Sequence, residues 1–344
     1  VDNQPPTALA LLERAKAGDK DAFGTLAEEH RQALLRLCYK MTGSHEQAED
    51  LVQDTLLKAF THIAEFELRA SLNTWLYRIA TNACLDHQRG RKPWDLQARW
   101  DWFRDNGDLV QQMEQTLFLS PERSAEVKEV AATCVNCITM SLPAKQRAAI
   151  TLCDQVGLSR EEAAKAIGAS VASVKTELHR ARKTMTGVFE SQCQLVDEGN
   201  ECSGCLFASR VQRQVKDAPA VDDKPRIRRQ RSTATSDGPQ VVSGIACAQI
   251  DELLSERIAD ELPEGMRATV DAHLAGCRNC TTAYRQLKRT VRFVRSHASA
   301  PLEPGTTGGV YAEFTKSMMD GEGARPLDII MNAVPGLSTE RDRG

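Results

Sequence analysis

Apolar positions recur at three- and four-residue steps along the amino-terminal part of the chain. They predict amphipathic helices from Ala8 to Ala17, from Lys20 to Thr42 and from His45 to Ala64, with Gly18-Asp19 and Gly43-Ser44 as the breaks. Phe23, Leu26, Leu34, Leu37 and Met41 mark the buried side of the second helix. On the third, Ala48, Leu51, Val52, Thr55, Leu56, Ala59, Phe60 and Ile63 form the inward stripe, and Glu49, Asp50, Gln53 and Asp54 lie off it. Trp75, Leu76, Ile79 and Ala83 make a fourth stripe, opposed by Arg78, Asn82, Asp86, Arg89, Arg91 and Lys92. Taken alone, carboxylates off a helix stripe are a solvated face, and Trp75 is assigned to the core.

A second pattern runs from Leu142 to Met185. Leu142-Pro143 opens it, Ile150, Leu152, Cys153 and Val156 mark the buried side of a helix, and Gly157-Leu158 ends that helix. Ser159 is an N-cap with Glu162 placed to close a capping box, and Ala163, Ala164 and Ile167 continue the apolar side. After Gly168, Ser170 caps a last helix whose Val171, Val174, Leu178 and Ala181 face inward. Its outer face carries Ser173, Lys175, Thr176, His179, Arg180, Arg182 and Lys183. A short helix, a glycine turn and a helix with hydroxyls first and guanidinium groups later suit a major groove. A helical hairpin with a solvated charged face is the plainer alternative.

Composition narrows the class. A chain of 344 residues, 41% hydrophobic and 26% charged, has room for more than one core, and its length suggests two or three domains. Aromatic residues are only 5%, which favours small helical cores. A net charge of -3 excludes a uniformly basic nucleic-acid binder and leaves room for local basic patches. No amino-terminal apolar stretch reads as a signal peptide and no run is long enough to span a bilayer, so a cytoplasmic location without membrane contact is expected. No phosphate loop or nucleophile elbow is present, so no enzyme is expected.

The segment "LPAKQRAAITLCDQVGLSREEAAKAIGASVASVKTELHRARKTM" resembles region four of extracytoplasmic-function (ECF) sigma factors. "AEDLVQDTLLKAF", followed by "FELRASLNTWLYRIATNACLDHQRGRKP", resembles region two of the same family. The resemblance implies that Glu49, Asp50, Gln53 and Asp54 dock on the clamp helices of core RNA polymerase. It implies that Arg78, Asn82, Arg89 and the loop from Glu67 to Asn73 meet the melted minus-ten element of promoter DNA. It also gives Ser173, Lys175, Thr176, His179, Arg180, Arg182 and Lys183 a DNA-binding role. The expected fold is all-α, with two small helical sigma domains joined by a linker and a further small helical zinc-binding domain.

The boundaries implied are 8–93 for region two, 94–122 for the linker, 123–191 for region four, 192–213 for a Cys-rich extension, 214–243 for a disordered linker, 244–298 for the zinc-binding domain and 299–344 for the tail. The first linker carries Trp94, Trp100, Trp102 and Phe103, more aromatic than a flexible tether, which suits short helices packed within the chain or on polymerase. The segment 214–243 holds Arg226, Arg228, Arg229 and Arg231 in a Ser/Thr/Gly/Pro setting and reads as a solvated linker. In the tail, Phe314, Met318, Met319 and Leu327 to Ile330 are candidates for a docking helix.

Eleven cysteines, several in Cys-x-x-Cys pairs, point to metal binding or redox switching sooner than to a secreted disulfide framework. Cys247, His273, Cys277 and Cys280 supply three thiolates and an imidazole, the donor set of a closed tetrahedral zinc site, with a purely thiol-based fold as the alternative. The stretch "CAQIDELLSERIADELPEGMRATVDAHLAGCRNC" resembles the zinc-binding anti-sigma domain, with helices after Cys247, from Thr269 to Leu274, and from Thr281 through Val294. A second tetrathiolate set is available in Cys134, Cys137, Cys202 and Cys205, with Cys193 as an alternative ligand; core-filling cysteines are the competing reading. One zinc ion, or two, is therefore the expected cofactor.

The function expected is a promoter-specificity subunit of RNA polymerase, regulated in cis by a zinc- or redox-responsive carboxy-terminal domain that docks on the sigma domains. The alternatives are a zinc-dependent anti-sigma or redox sensor acting on another protein, and a helix-turn-helix regulator that needs no polymerase.

Overall fold

The computed structural model describes residues 8–67, 71–97, 101, 132, 134–192, 241–242 and 245–296. The described part is built almost wholly of helices. The amino-terminal bundle consists of α1 (Ala8–Lys16), α2 (Lys20–Thr42), α3 (His45–His62), a 3-10 turn (Ile63–Glu65) and α4 (Leu72–His87). Its boundaries are set by local chemistry. Asp19 caps α2 by accepting from the Asp21 and Ala22 backbone N–H groups, while Arg14 pairs with its other carboxylate oxygen. Ser44 and Ser71 cap α3 and α4 in the same way. Gly43 ends α2 at φ 73°, and a side chain there would meet the Trp94 ring at 3.1 Å, so glycine serves both the turn and the approach.

The helix-turn-helix unit follows. It comprises α5 (134–140), α6 (Ala144–Ile150), α7 (Arg160–Ile167) and α8 (Val171–Gln192). The end of α6 widens into a π-helical stretch, Thr151–Val156, and stops at Gly157. Ser159 and Glu162 form the expected capping box, Gly168 makes the turn at φ 71°, and Ser170 accepts from the Ser173 N–H.

The third unit starts with a two-residue antiparallel pairing, β1 (Val241–Val242) with β2 (Ile245–Ala246), which the apolar pattern did not indicate. Three helices follow: α9 (Cys247–Ala259), α10 (Glu264–Gly276) and α11 (Arg278–Ser296). The second of these is longer than the predicted Thr269–Leu274, and the third begins at Arg278, ahead of Thr281. Asp260 ends α9 at φ 61°, a conformation an aspartate tolerates better than most residues.

The units pack on one another. A single core cluster runs from Leu34, Leu37 and Val52 in the bundle through Leu142, Ile150, Leu178 and Phe189 in the helix-turn-helix to Val294 of α11. The seam between bundle and helix-turn-helix has a polar bolt. Buried Arg147 donates to the carbonyls of Met41 at 2.9 Å, Met140 at 2.7 Å and Leu142 at 3.1 Å, and Gln88 also donates to Met41. Burial draws Arg147 down to about 10, which leaves it protonated at neutral pH. At the start of the first predicted linker, Trp94 donates its backbone N–H to Met140 O and Leu96 enters the shared core. Trp100, Trp102 and Phe103, the segment 192–213 after its first residue, and the tail candidates Phe314, Met318, Met319 and Leu327 to Ile330 lie outside the described residues, as does the expected disordered linker 214–243 except for β1 near its end.

Candidate nucleic-acid interface and metal centre

On α3 the inward stripe is buried except at Leu56 and Phe60, which are half-buried, and Glu49, Asp50, Gln53 and Asp54 are all exposed. Between them and the helix end stands Leu57, 64% exposed, an apolar residue on an otherwise acidic face that the stripe argument passed over. The next exposed face belongs to α4. Arg78, Asn82 and Arg89 point to solvent, with Arg89 held by Asp86 at 3.0 Å. Trp75 packs its ring on Phe66 at 5.2 Å and is part of the core, as assigned. Within the Glu67–Asn73 loop, residues 68–70 lie outside the described residues.

The basic helix α8 does not present all its cations to solvent. Ser173, Thr176 and Arg180 are exposed, the last paired with Glu177 on its own helix. Lys175 and His179, both half-buried, face α9, and Lys183 reaches it from an exposed position. Lys175 pairs with Glu256 at 3.3 Å, His179 Nδ1 meets Ser255 Oγ at 3.1 Å with its other nitrogen 3.8 Å from Asp251, and Lys183 pairs with Asp251. Burial pulls the His179 pKa down against the opposing pull of Asp251.

Arg182 corrects the sequence reading of an outward residue. It is 1% exposed and turned into the unit, where its guanidinium makes two hydrogen bonds of 2.8 and 2.7 Å to Asp154, whose side chain is fully buried. A third bond from the same guanidinium reaches Ser255 O at 3.1 Å, and Arg295 of α11 closes on Asp154 at 3.0 Å. Two guanidinium groups on one buried carboxylate keep the charge compensated in a place where water cannot do so.

Arg160, at the first position of α7, was not picked out from the sequence. It is 2% exposed, donates to Ser255 O at 3.1 Å and pairs with Glu261 at 2.7 Å. A cation in the first turn of a helix opposes the helix dipole, and that misfit is the sequence feature that could have marked it. Farther along the seam, Glu190 pairs with Arg289 and Phe189 stacks edge-on against Phe293 at 5.2 Å. The carboxy-terminal unit thus lies along α8 with its acidic α9 on the basic face.

The metal candidates meet at the base of that unit. Cys247 opens α9, His273 sits in the last turn of α10, Cys277 follows in extended conformation, and Cys280 lies in the first turn of α11. Their donor atoms all lie within 4.8 Å of one another, with Cys247 Sγ 3.6 Å from His273 Nε2 and 3.8 Å from Cys277 Sγ. A tetrahedron with zinc–sulfur bonds of about 2.3 Å has sulfur–sulfur edges of about 3.8 Å, so the set fits such an ion. The Cys280 backbone N–H, donated to the Cys277 sulfur, draws that thiol down to about 7, whereas burial pushes Cys280 up to about 12. Of the second proposed set, Cys137 is buried in the shared core and Cys134 is half-buried, while Cys193, Cys202 and Cys205 lie outside the described residues. Cys153 is a third kind, a thiol pushed up to about 12 by burial and so chemically quiet. No helix among the described residues is long and apolar enough to cross a membrane.

Comparison with known proteins follows the same three units. Residues 26–93 match the family model for Sigma-70 region 2, residues 133–185 that for Sigma-70, region 4, and residues 247–281 that titled "Putative zinc-finger". The chain is 30% identical over 181 residues to the ECF RNA polymerase sigma factor SigW of Bacillus subtilis, covering 51% of this chain and 92% of that protein. It is 32% identical over 179 residues to the RNA polymerase sigma-H factor of Pseudomonas aeruginosa, covering 51% of this chain and 90% of that one. Among solved structures, CnrH in complex with the cytosolic domain of CnrY aligns at 24% identity with a TM-score of 0.38, over 52% of this chain and 95% of that one.

Proposed function

Because the chain belongs to the extracytoplasmic-function family of RNA polymerase sigma factors, we propose that it directs core RNA polymerase to specific promoters in the cytoplasm, under control of its own carboxy-terminal zinc-binding unit. Its regions fall at 8–93 and 123–191, with the regulatory unit at 244–298. The acidic face of α3, with Glu49, Asp50, Gln53, Asp54 and Leu57, is the polymerase contact. Arg78 and Asn82 on α4, with Arg89 just past its end, meet the opened strand, and α8 reads duplex DNA with Ser173, Lys175, Thr176, His179, Arg180 and Lys183.

The observation that carries the regulatory half is the pairing of Lys175, His179, Lys183 and Arg160 with groups of α9 and the turn after it. Paired there, these cations meet carboxylates in place of phosphate, Arg160 and His179 largely out of solvent and Lys183 still exposed. Cys247, His273, Cys277 and Cys280 would hold zinc, and four ligands drawn from the start of α9 and the junction of α10 and α11 would then keep the acidic helix in register with α8. Oxidation of two of the ligating thiolates to a disulfide by a two-electron oxidant would release the ion and loosen that register.

The test is promoter-dependent transcription by core polymerase with the full chain, first zinc-loaded and then treated with chelator or peroxide. Low output with zinc and at least about tenfold more after its loss is expected. Equal output under all conditions would remove the regulator and leave the sigma activity. No output at any condition would remove both.

A further inference from the structure

The regulatory unit could act at either of two steps, docking on polymerase or reading of DNA, and the contacts discriminate between them. Among the described residues, the ion pairs the unit makes outside itself go to the helix-turn-helix. Asp251 and Glu256 of α9, with Glu261 just beyond, meet Lys183, Lys175 and Arg160, and the Ser255 carbonyl accepts from both Arg160 and Arg182 at 3.1 Å. Its apolar seam, Phe293 and Val294, also ends on α8. Carboxylates and a polarised carbonyl set against lysine and guanidinium groups supply what a DNA backbone supplies, namely anionic oxygen at hydrogen-bond range. Meanwhile Glu49, Asp50, Gln53, Asp54 and Leu57 on α3 remain open to solvent.

Resting on the sigma-factor reading above, we infer that α9 is a stand-in for promoter phosphates that closes the duplex-reading face of α8 and leaves the polymerase face of α3 open. The restrained chain therefore loads onto core polymerase and is blocked at the DNA step. Release requires the loss of charge pairing between α9 and the α7–α8 cations, and no new polymerase contact.

The experiment uses the zinc-loaded full chain and the triple variant Asp251→Asn, Glu256→Gln, Glu261→Gln, with zinc content measured in both. A control of the same net charge, Glu13→Gln, Glu28→Gln, Glu29→Gln, alters exposed carboxylates of the bundle instead. Each is titrated against core RNA polymerase and, without polymerase, against a labelled random-sequence duplex over a range of salt. The triple variant should bind the duplex about tenfold tighter than the wild-type chain, with a log–log salt slope steeper by about 0.9 for each cation freed to meet a phosphate. All three proteins should bind core polymerase equally.

Duplex binding by the triple variant no tighter than that of the control overturns the phosphate stand-in. Core binding that is weak in the wild-type chain and restored in the triple variant overturns it too, because the restraint would then act on polymerase docking. Absence of core binding in all three proteins defeats the sigma reading itself, a result distinct from either of the others.

Discussion

Asp154 shows how one residue carries the junction of two units. Its carboxylate is buried between Arg182 of α8 and Arg295 of α11, so it holds the helix-turn-helix together and also receives the regulatory unit. Replacement by alanine strands the buried Arg182 guanidinium, and a loss of about 3–5 kcal/mol is expected, read from the urea midpoint of the zinc-loaded chain. Ser159 works on a smaller scale. Ser159→Ala removes the cap of α7 and should cost about 1 kcal/mol in the same assay. Its partner Glu162 has its pKa lowered chiefly by the Ser159 backbone N–H. A carboxyl lowered by folding stabilises the protein above the ordinary carboxylate range, and that contribution is lost as pH falls through the lowered value. The difference between Glu162→Gln and wild type in thermal unfolding should therefore vanish in acid.

At the scale of elements, α3 and α9 are both acidic helices with opposite fates. The acidic face of α3 is open, so Asp50→Lys and Leu57→Asp should leave unfolding within about 0.5 kcal/mol of wild type. The same changes should weaken binding to core polymerase by about tenfold or more, measured by titration with labelled chain. The acidic groups of α9 are engaged on α8, and the fixing of that helix is assigned to Cys247 at its first position. Cys277→Ser removes one of four ligands. It should lower zinc content well below one ion per chain and raise promoter output as chelation does, whereas the same substitution at Cys153, a buried core thiol, should leave zinc content unchanged.

Across the whole molecule, the bundle and the helix-turn-helix share one core, and Arg147 ties them through the Met41, Met140 and Leu142 carbonyls. Arg147→Met keeps much of the volume and takes one donor from each carbonyl; Met41 O retains Gln88 and Met140 O retains the Trp94 N–H, so Leu142 O is the group most exposed to the loss. A loss of about 1–3 kcal/mol per group left unsatisfied is the scale expected, and a lowered urea midpoint would report it. An unchanged midpoint would mean that the seam is held by apolar contact alone.

Much of this protein is written locally. The helix stripes, the Ser159–Glu162 capping box, the turns at Gly157 and Gly168 and the Cys247, His273, Cys277, Cys280 donor set all depend on residues a few positions apart, or on donor types that admit few other uses. They were legible for that reason. Arg182 was not, because its charge argued for the outer face although it stands four residues after the inward Leu178, and Asp154, the buried anion that holds it, lies 28 residues away on another helix. Arg160, Arg147 and Arg295 share that dependence on distant partners. The same limit applies to Asp251, Glu256 and Glu261. Sequence makes them an ordinary solvated face, and only the docking of α9 on α8 gives their charge a task, since the energy of a charge is set by its neighbours in space and not along the chain.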